Sequence, residues 1–318
     1  MSLFQRLNDI KKRPAPQSPE TGARSVLLPG GREISTGFGK CFLLEDCREG
    51  AFPFPGGDTS SLLANLKLIR GVGPVYEEKL RDQGLARICD LVDHPRWGMC
   101  ARQVMDLIEK RRIRELQLLG ARDREWLPYF TPEDVVFLDI ETTGLWASQP
   151  LFLIGLLYYR GGKLFTSQFF ARHYREEKAV LAAADEALKK FKIIVSYNGK
   201  RFDVPYICGR SVEHRLFYSY PHHQVDMLYH ARRRFSGMLP DCRLVTLEEH
   251  ILNFRREGDI PGHLIPETYH RFVQRQDAGM IGPVIEHNRL DLLAMARLFS
   301  IVGDDSPGEA DNCRAFTL

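Results

Sequence analysis

The sequence predicts an α/β protein, a mixed sheet flanked by helices and preceded by a small helical domain. Three observations carry that expectation. Val135-Val136-Phe137-Leu138 is an unbroken apolar run, the pattern of a strand buried on both faces. Leu151–Tyr159 and Lys163–Ala171 are two more strand-like runs, joined by the hairpin signal Arg160-Gly161-Gly162. Then Val180, Ala184, Ala187, Leu188 and Phe191 recur at helical spacing within Glu176–Phe191, and Ile193–Tyr197 reads as a further strand. Hairpin strands followed by helix, strand and more helix give a mixed sheet covered by helices.

Composition narrows the class. With 318 residues the chain can hold two or three domains and a sizeable core. The 44% hydrophobic and 27% charged content is ordinary for a globular protein. The formal net charge of +3 is too mild to announce nucleic-acid binding, so any basic surface is local. Seven Cys without a C-x-x-C pair read as reduced thiols, which excludes a disulfide framework or zinc cage. The first residues lack an apolar stretch of signal-peptide length, and Leu151–Tyr159 is too short to span a bilayer. A cytoplasmic protein without a membrane segment is expected.

In chain order, residues 1–60 read as an N-terminal linker and a short β segment. Residues 1–10 suit one or two helical turns, and Lys11–Arg24 has the Lys/Arg, Pro, Ser and Gly content of a mobile linker. Ser25–Pro55 reads as one or two small hairpins without chemistry. Residues 61–128 read as the helical domain. Leu62–Ile69 is a helix stopped by glycine, and Arg70-Gly71-Val72-Gly73 is a short turn. Pro74 then opens a second helix through Leu80. This resembles a helix-hairpin-helix motif, whose glycine turn lets backbone N–H groups approach a phosphate. Glu77 and Glu78 depart from the motif, and a plain packing unit explains the pattern equally well. Gln103–Glu125 reads as helix, its Lys110-Arg111-Arg112 and Arg114 a solvated face or a nucleic-acid track. The prolines of Leu127–Pro132 mark a boundary, after which residues 130–303 form the main domain and 304–318 a flexible tail.

The chemistry centres on Asp139 and Glu141, which end the first strand of the main domain. Side chains alternate along a strand, so the two carboxylates share a side. Such a pair beside a core is costly unless a cation sits between them, and a divalent metal suits it. Thr142-Thr143-Gly144 adds hydroxyls and a turn. After the Ile193–Tyr197 strand, Asn198-Gly199 is a turn signal and Asp203 enters a helix; taken alone, Asp203 would be an N-cap. In a last helix over about Ile285–Val302, His287 falls in the apolar stripe and Asp291 at its edge, four positions apart and stacked. A buried His–Asp hydrogen bond is the plain reading. A polar pair facing a core also breaks the pattern in the way functional sites do.

D-I-E-T-T-G-L, N-x-x-x-F-D and H-N-x-x-D, in that order, resemble the three motifs of the DnaQ-like (DEDD) exonuclease superfamily. Within it, the chain is most similar to the YprB-type ribonuclease H-like proteins. Val225–Leu228, Cys242–Leu244, Leu247-Glu248 and Arg255–Pro261 add to the likeness. The resemblance covers roughly residues 130–303. It implies a ribonuclease H-like fold and a 3′→5′ exonuclease acting on DNA or RNA at a single-stranded 3′ end. It also implies that Asp139, Glu141, Asp203 and Asp291 hold two Mg²⁺ or Mn²⁺ ions, hard cations suited to carboxylate oxygens. His287 would be the general base, and Leu145 would wedge against the terminal base. Thr142, Gly144, Leu145 and Asn198 near the acids, with Gly71 and Gly73 in the helical turn, are the candidate nucleic-acid contacts. Asp226 reads as an N-cap or a fifth carboxylate. One departure bears on mechanism. The base of the histidine type precedes the last Asp by five positions, and that of the tyrosine type by four. Here a His stands at the tyrosine spacing, so it either accepts a proton or only positions Asp291. The alternative to an enzyme is a non-catalytic nucleic-acid-binding or scaffolding protein on the same fold.

Overall fold

The computed structural model describes residues 30–55 and 59–302. The linker expected over residues 11–24 and the tail over 304–318 lie outside the described residues. Among the described residues, seven strands form one sheet in the order β1-β2-β5-β4-β3-β6-β7. These are β1 Gly31–Thr36, β2 Gly39–Glu49, β3 Val135–Thr142, β4 Leu151–Arg160, β5 Lys163–Phe170, β6 Ile193–Ser196 and β7 His223–Asp226. The pairs from β1 through β3 are antiparallel, whereas β3–β6 and β6–β7 are parallel. The mixed sheet follows from connection length: β4 and β5 are joined by a two-residue turn, while β3, β6 and β7 are reached through helices. The β1–β2 hairpin, assigned from sequence to an N-terminal segment, pairs through β2 with β5 and extends the sheet of the main domain.

Helices cover both faces. In chain order they are α1 Ser60–Ala64, α2 Pro74–Asp82, α3 Gly98–Glu109, α4 Ile113–Leu118 and α5 Asp123–Trp126, then α6 Glu177–Leu188, α7 Asp203–Glu213, α8 Met227–Phe235, α9 Leu244–His250, α10 Ile265–Arg275 and α11 Ala278–Leu298. The helix expected over Leu62–Ile69 is α1 followed by a 3₁₀ turn, Leu66–Leu68. The break falls at Asn65, whose amide donates to both Glu125 oxygens. The helix expected over Gln103–Glu125 is likewise α3, α4 and α5. Its interruptions are Arg111 and Gly120, both at positive φ.

Alternation along β3 sorts the core. Val136 and Leu138 belong to one apolar cluster with residues of α6, α7 and α10, while Val135 and Phe137 belong to a second that also holds residues of α1–α5. That second cluster runs without a break from the helical region into the sheet, where Phe137 meets Phe52 and Phe299 edge-on. The helical region therefore shares its core with the sheet. Asp139 and Glu141 continue the Val135–Phe137 side toward the C-terminal end of β3. No helix among the described residues is long and apolar enough to cross a membrane.

Candidate active site

Three elements bring the acids together. β3 carries Asp139 and Glu141, α7 begins at Asp203, and α11 supplies Asp291. The charges of Asp291, Glu141 and Asp203 all raise the Asp139 carboxyl, after burial itself, so the four form one electrostatic unit. Glu141 is pushed up by burial, then by Asp291, Asp203 and Asp259, with partial relief from Arg256. Burial also raises Asp203, to about 7, against the lowering effect of backbone hydrogen bonds from its own N–H and that of Ile140. Asp203 is not the N-cap it would be if read alone, apart from the other acids. Phe202 holds that position without a side-chain cap, and Asp203 is the first helical residue. Asp226 does cap α8, its Oδ1 accepting from Leu228 N–H at 3.1 Å and Asn198 N–H at 2.9 Å. That second bond secures the Asn198 turn, where φ is +65°.

Asp139 is oriented by residues that motif spacing leaves without a role. Asn288 Nδ2 donates to Asp139 Oδ2 at 2.7 Å. The amide is fixed the right way round because its Oδ1 accepts from Gln168 Nε2 at 2.8 Å, and Gln168 also donates to the Ile285 carbonyl. Gly155 sits opposite Asp139 in the sheet. A Cβ there would lie 2.1 Å from Asn288 Oδ1, so only glycine lets the helix approach. The sole sequence signal was Asn288 within H-N-x-x-D; Gly155 and Gln168 act across strands and left none.

The helix bearing His287 and Asp291 starts earlier than expected, at Ala278, with Pro283 inside it, and passes into a 3₁₀ turn at Phe299. His287 does not bond Asp291 closely: Nε2 is 3.8 Å from Asp291 Oδ2. Its Nδ1 lies 2.9 Å from both oxygens of Asp259. Arg256 stands beside them, bonded to Glu248, Asp259 and Asp291. The sequence offered Arg255–Pro261 only as part of a likeness, and loop contacts have no periodicity that would have revealed them.

The turn after β3 presents apolar groups outward. Thr142 Oγ1 donates to the Gly144 carbonyl, Thr143 bonds the Pro150 carbonyl through N–H and hydroxyl, and Tyr206 donates to the Gly144 and Gln149 carbonyls. On this braced loop Leu145 is 79% and Trp146 75% exposed. Trp146 carries no motif signal in the sequence. Gly71 and Gly73 lie in a separate turn before α2, not at the acids. Glu77 there is turned back to Lys67 and Arg81.

As they stand, no three described His, Cys, Asp or Glu side chains are set to hold a metal ion. Asp291 is engaged by Arg256 and Asp139 by Asn288. The donor set nevertheless fits a hard divalent cation: all oxygen, with Glu141 and Asp203 buried and Asp139 and Asp291 half-buried, and with carboxylates in excess of cations. Ion binding would require Asp291 to exchange Arg256 for the metal.

A family model described as the RNase H superfamily matches residues 136–302. The chain is 30% identical over 176 residues to the uncharacterized protein YprB of Bacillus subtilis (strain 168), covering 54% of this chain and 42% of that protein. The chain thus spans less than half the length of this curated relative. Among solved structures, a family B DNA polymerase from the archaeon Pyrobaculum calidifontis aligns at 18% identity with a TM-score of 0.41, covering 55% of this chain and 28% of the polymerase.

Proposed function

We propose that this chain, which belongs to the RNase H superfamily, is a metal-dependent exonuclease that shortens DNA or RNA from a 3′ end. The observation that carries this reading is the gathering of Asp139, Glu141, Asp203 and Asp291, where burial and neighbouring charge, that of Asp291 included, raise the carboxyls of Asp139, Glu141 and Asp203. A folded protein gains nothing from that repulsion unless a cation relieves it. The four acids would hold two Mg²⁺ or Mn²⁺ ions. Such ions, when bound, supply a hydroxide nucleophile and stabilise the leaving oxyanion of a phosphodiester. Asn288 holds Asp139 in one orientation. His287 accepts a proton from the attacking water through Nε2. Leu145 and Trp146 offer apolar surface on which a terminal base stacks. The 3′→5′ polarity and the preference for a single-stranded end rest on the motif resemblance.

The test is hydrolysis of end-labelled single- and double-stranded DNA and RNA with Mg²⁺ or Mn²⁺. Stepwise loss from the 3′ end is expected, with none in chelator and none from Asp203→Asn. A binding-only protein is the second reading, favoured by the Arg256–Asp291 ion pair, which already neutralises one acid. Tight nucleic-acid binding without hydrolysis under any of these conditions decides for it.

A further inference from the structure

The proton-accepting end of His287 is set by which hydrogen bond its other nitrogen makes, and the loop between α9 and α10 determines that. Both oxygens of Asp259 lie 2.9 Å from His287 Nδ1. A carboxylate accepts, so the neutral ring carries its proton on Nδ1 and leaves Nε2 bare. Nε2 is also the nitrogen on the Asp291 side. Arg256 competes for the same nitrogen: its Nη1 is 3.5 Å from His287 Nδ1. A guanidinium only donates, so a bond from it would force the opposite tautomer. Distance settles the competition for Asp259, and Nη1 donates instead to Asp259 Oδ2 at 2.9 Å.

Arg256 is itself held firmly. Its Nε and Nη2 form a two-pronged bond to Glu248 at 2.7 Å each, with both side chains buried. Burial works to lower the Arg256 pKa, but Glu248 and Asp291 outweigh it and keep the guanidinium charged. The same group bonds Asp291. One buried cation thus fixes the carboxylate that orients His287 and the carboxylate expected to take a metal. A buried network of this kind contributes little net stability, and its worth lies in geometry.

We propose that Asp259 is the positioning residue of His287, and that Arg256, anchored on Glu248, holds Asp259 in place beside it. This rests on the nuclease reading. It goes further in naming the loop carboxylate that makes a histidine at the tyrosine spacing competent to accept a proton.

Two measurements on the full chain test it. Long-range ¹H–¹⁵N spectra of the metal-free protein report the His287 tautomer, its signals identified by their loss in His287→Ala. The wild type should show the Nδ1–H form. Asp259→Ala should move toward Nε2–H, because Arg256 is then the only partner left beside Nδ1. In turnover with Mg²⁺, Asp259→Ala should lower kcat by about 10–100-fold with KM and metal affinity unchanged. It should cost nothing further in a His287→Ala background, and Asp259→Glu should recover part of the loss. A wild-type ring in the Nε2–H form overturns the proposal without any variant. So does an Asp259→Ala loss that persists in full when His287 is absent. A wild type with the Nδ1–H ring but no hydrolysis with either ion leaves the tautomer assignment standing and removes the nuclease reading.

Discussion

Among the buried polar clusters of the described residues, two are built on opposite principles. In one, Glu177 accepts two bonds from Arg210 at 2.6 and 2.7 Å and one from the Leu151 N–H at 2.8 Å, and pairs with His214 at 2.9 Å. Arg210 also donates to the Ala147 carbonyl. One acid, one guanidinium and one imidazole satisfy each other, and together they brace the turn that follows β3. In the other, Asp139, Glu141, Asp203 and Asp291 crowd together while Arg256 is divided among Glu248, Asp259 and Asp291. The first cluster is complete within the chain. The second has negative charge left over among the described residues, and on the nuclease reading proposed above a cation from outside completes it. Burial alone therefore does not tell the two clusters apart; the balance of charge does.

Removing one charge from each cluster should have opposite consequences. Asp139→Asn is expected to bring turnover to background while leaving the metal-free fold as stable as before or more so, since repulsion is relieved. Glu177→Gln strands Arg210 in a buried site and should cost about 3–5 kcal/mol, with activity lost only through unfolding. Denaturant unfolding of both variants beside end-labelled cleavage gives the answer. A destabilised Asp139→Asn or a neutral Glu177→Gln would erase the contrast.

A gentler probe is pH. Asp203 is raised to about 7 in the fold, against an ordinary Asp value near 4 when unfolded. The folded state then binds more protons than the unfolded state between those values. Stability of the metal-free protein should accordingly be greatest below about pH 4 for this group and fall as pH rises through about 7. Asp139 and Glu141 shift the same way and reinforce the trend. Saturating Mg²⁺ or Mn²⁺ should flatten the fall and raise Tm at pH 8 more than at pH 5. Thermal melts at both pH values suffice, and an equal metal effect at the two would place the ion elsewhere.

Much of this was legible in sequence because it is periodic or local. The apolar run ending in Asp139 and Glu141 marks β3, an interior strand of the sheet, and alternation places the two acids on one side. The strand, helix and hairpin signals from Leu151 to Tyr197 gave the mixed sheet. What escaped depends on contacts between distant segments. Gly155, Gln168 and Asn288 become a set only when β4, β5 and α11 meet. Asp259 and Arg256 lie in a loop without period. The breaks at Asn65 and Arg111 follow from a tertiary hydrogen bond and a positive φ that apolar spacing does not report.

A smaller effect is expected at the lip of the site. Leu145 and Trp146 stand outward on a turn braced by Tyr206, and through Arg210 by the balanced cluster. Trp146→Ala should raise KM for a single-stranded end by roughly tenfold, the scale of one lost stacking contact, and leave kcat near normal. Tm should not move, because an exposed side chain contributes little to the core. A fall in kcat at unchanged KM would instead assign Trp146 to the alignment of the scissile bond.

The smallest expected effect concerns the turn before α2. Gly71 has φ of +90°, so an alanine there strains the backbone whatever its ligand role. Gly73 is different: its backbone is extended at φ −97°, and a Cβ would meet nothing within 4 Å. Gly73→Ala therefore leaves the fold unchanged and probes only whether something outside the protein comes close. Pro74 opens the nine-residue α2 directly after it, and no side chain caps that N-terminus. Pro74 has no N–H and Glu77 N–H bonds the Gly73 carbonyl, so a phosphate contact would fall to the N–H groups of Val75 and Tyr76. If the turn grips the substrate backbone away from the acids, Gly73→Ala should weaken single-stranded binding about fivefold, comparable to one hydrogen bond of ~1 kcal/mol. Tm and saturated turnover should stay the same. Affinity equal to wild type at low salt, where phosphate contacts weigh most, would make the turn a packing unit that only joins two helices.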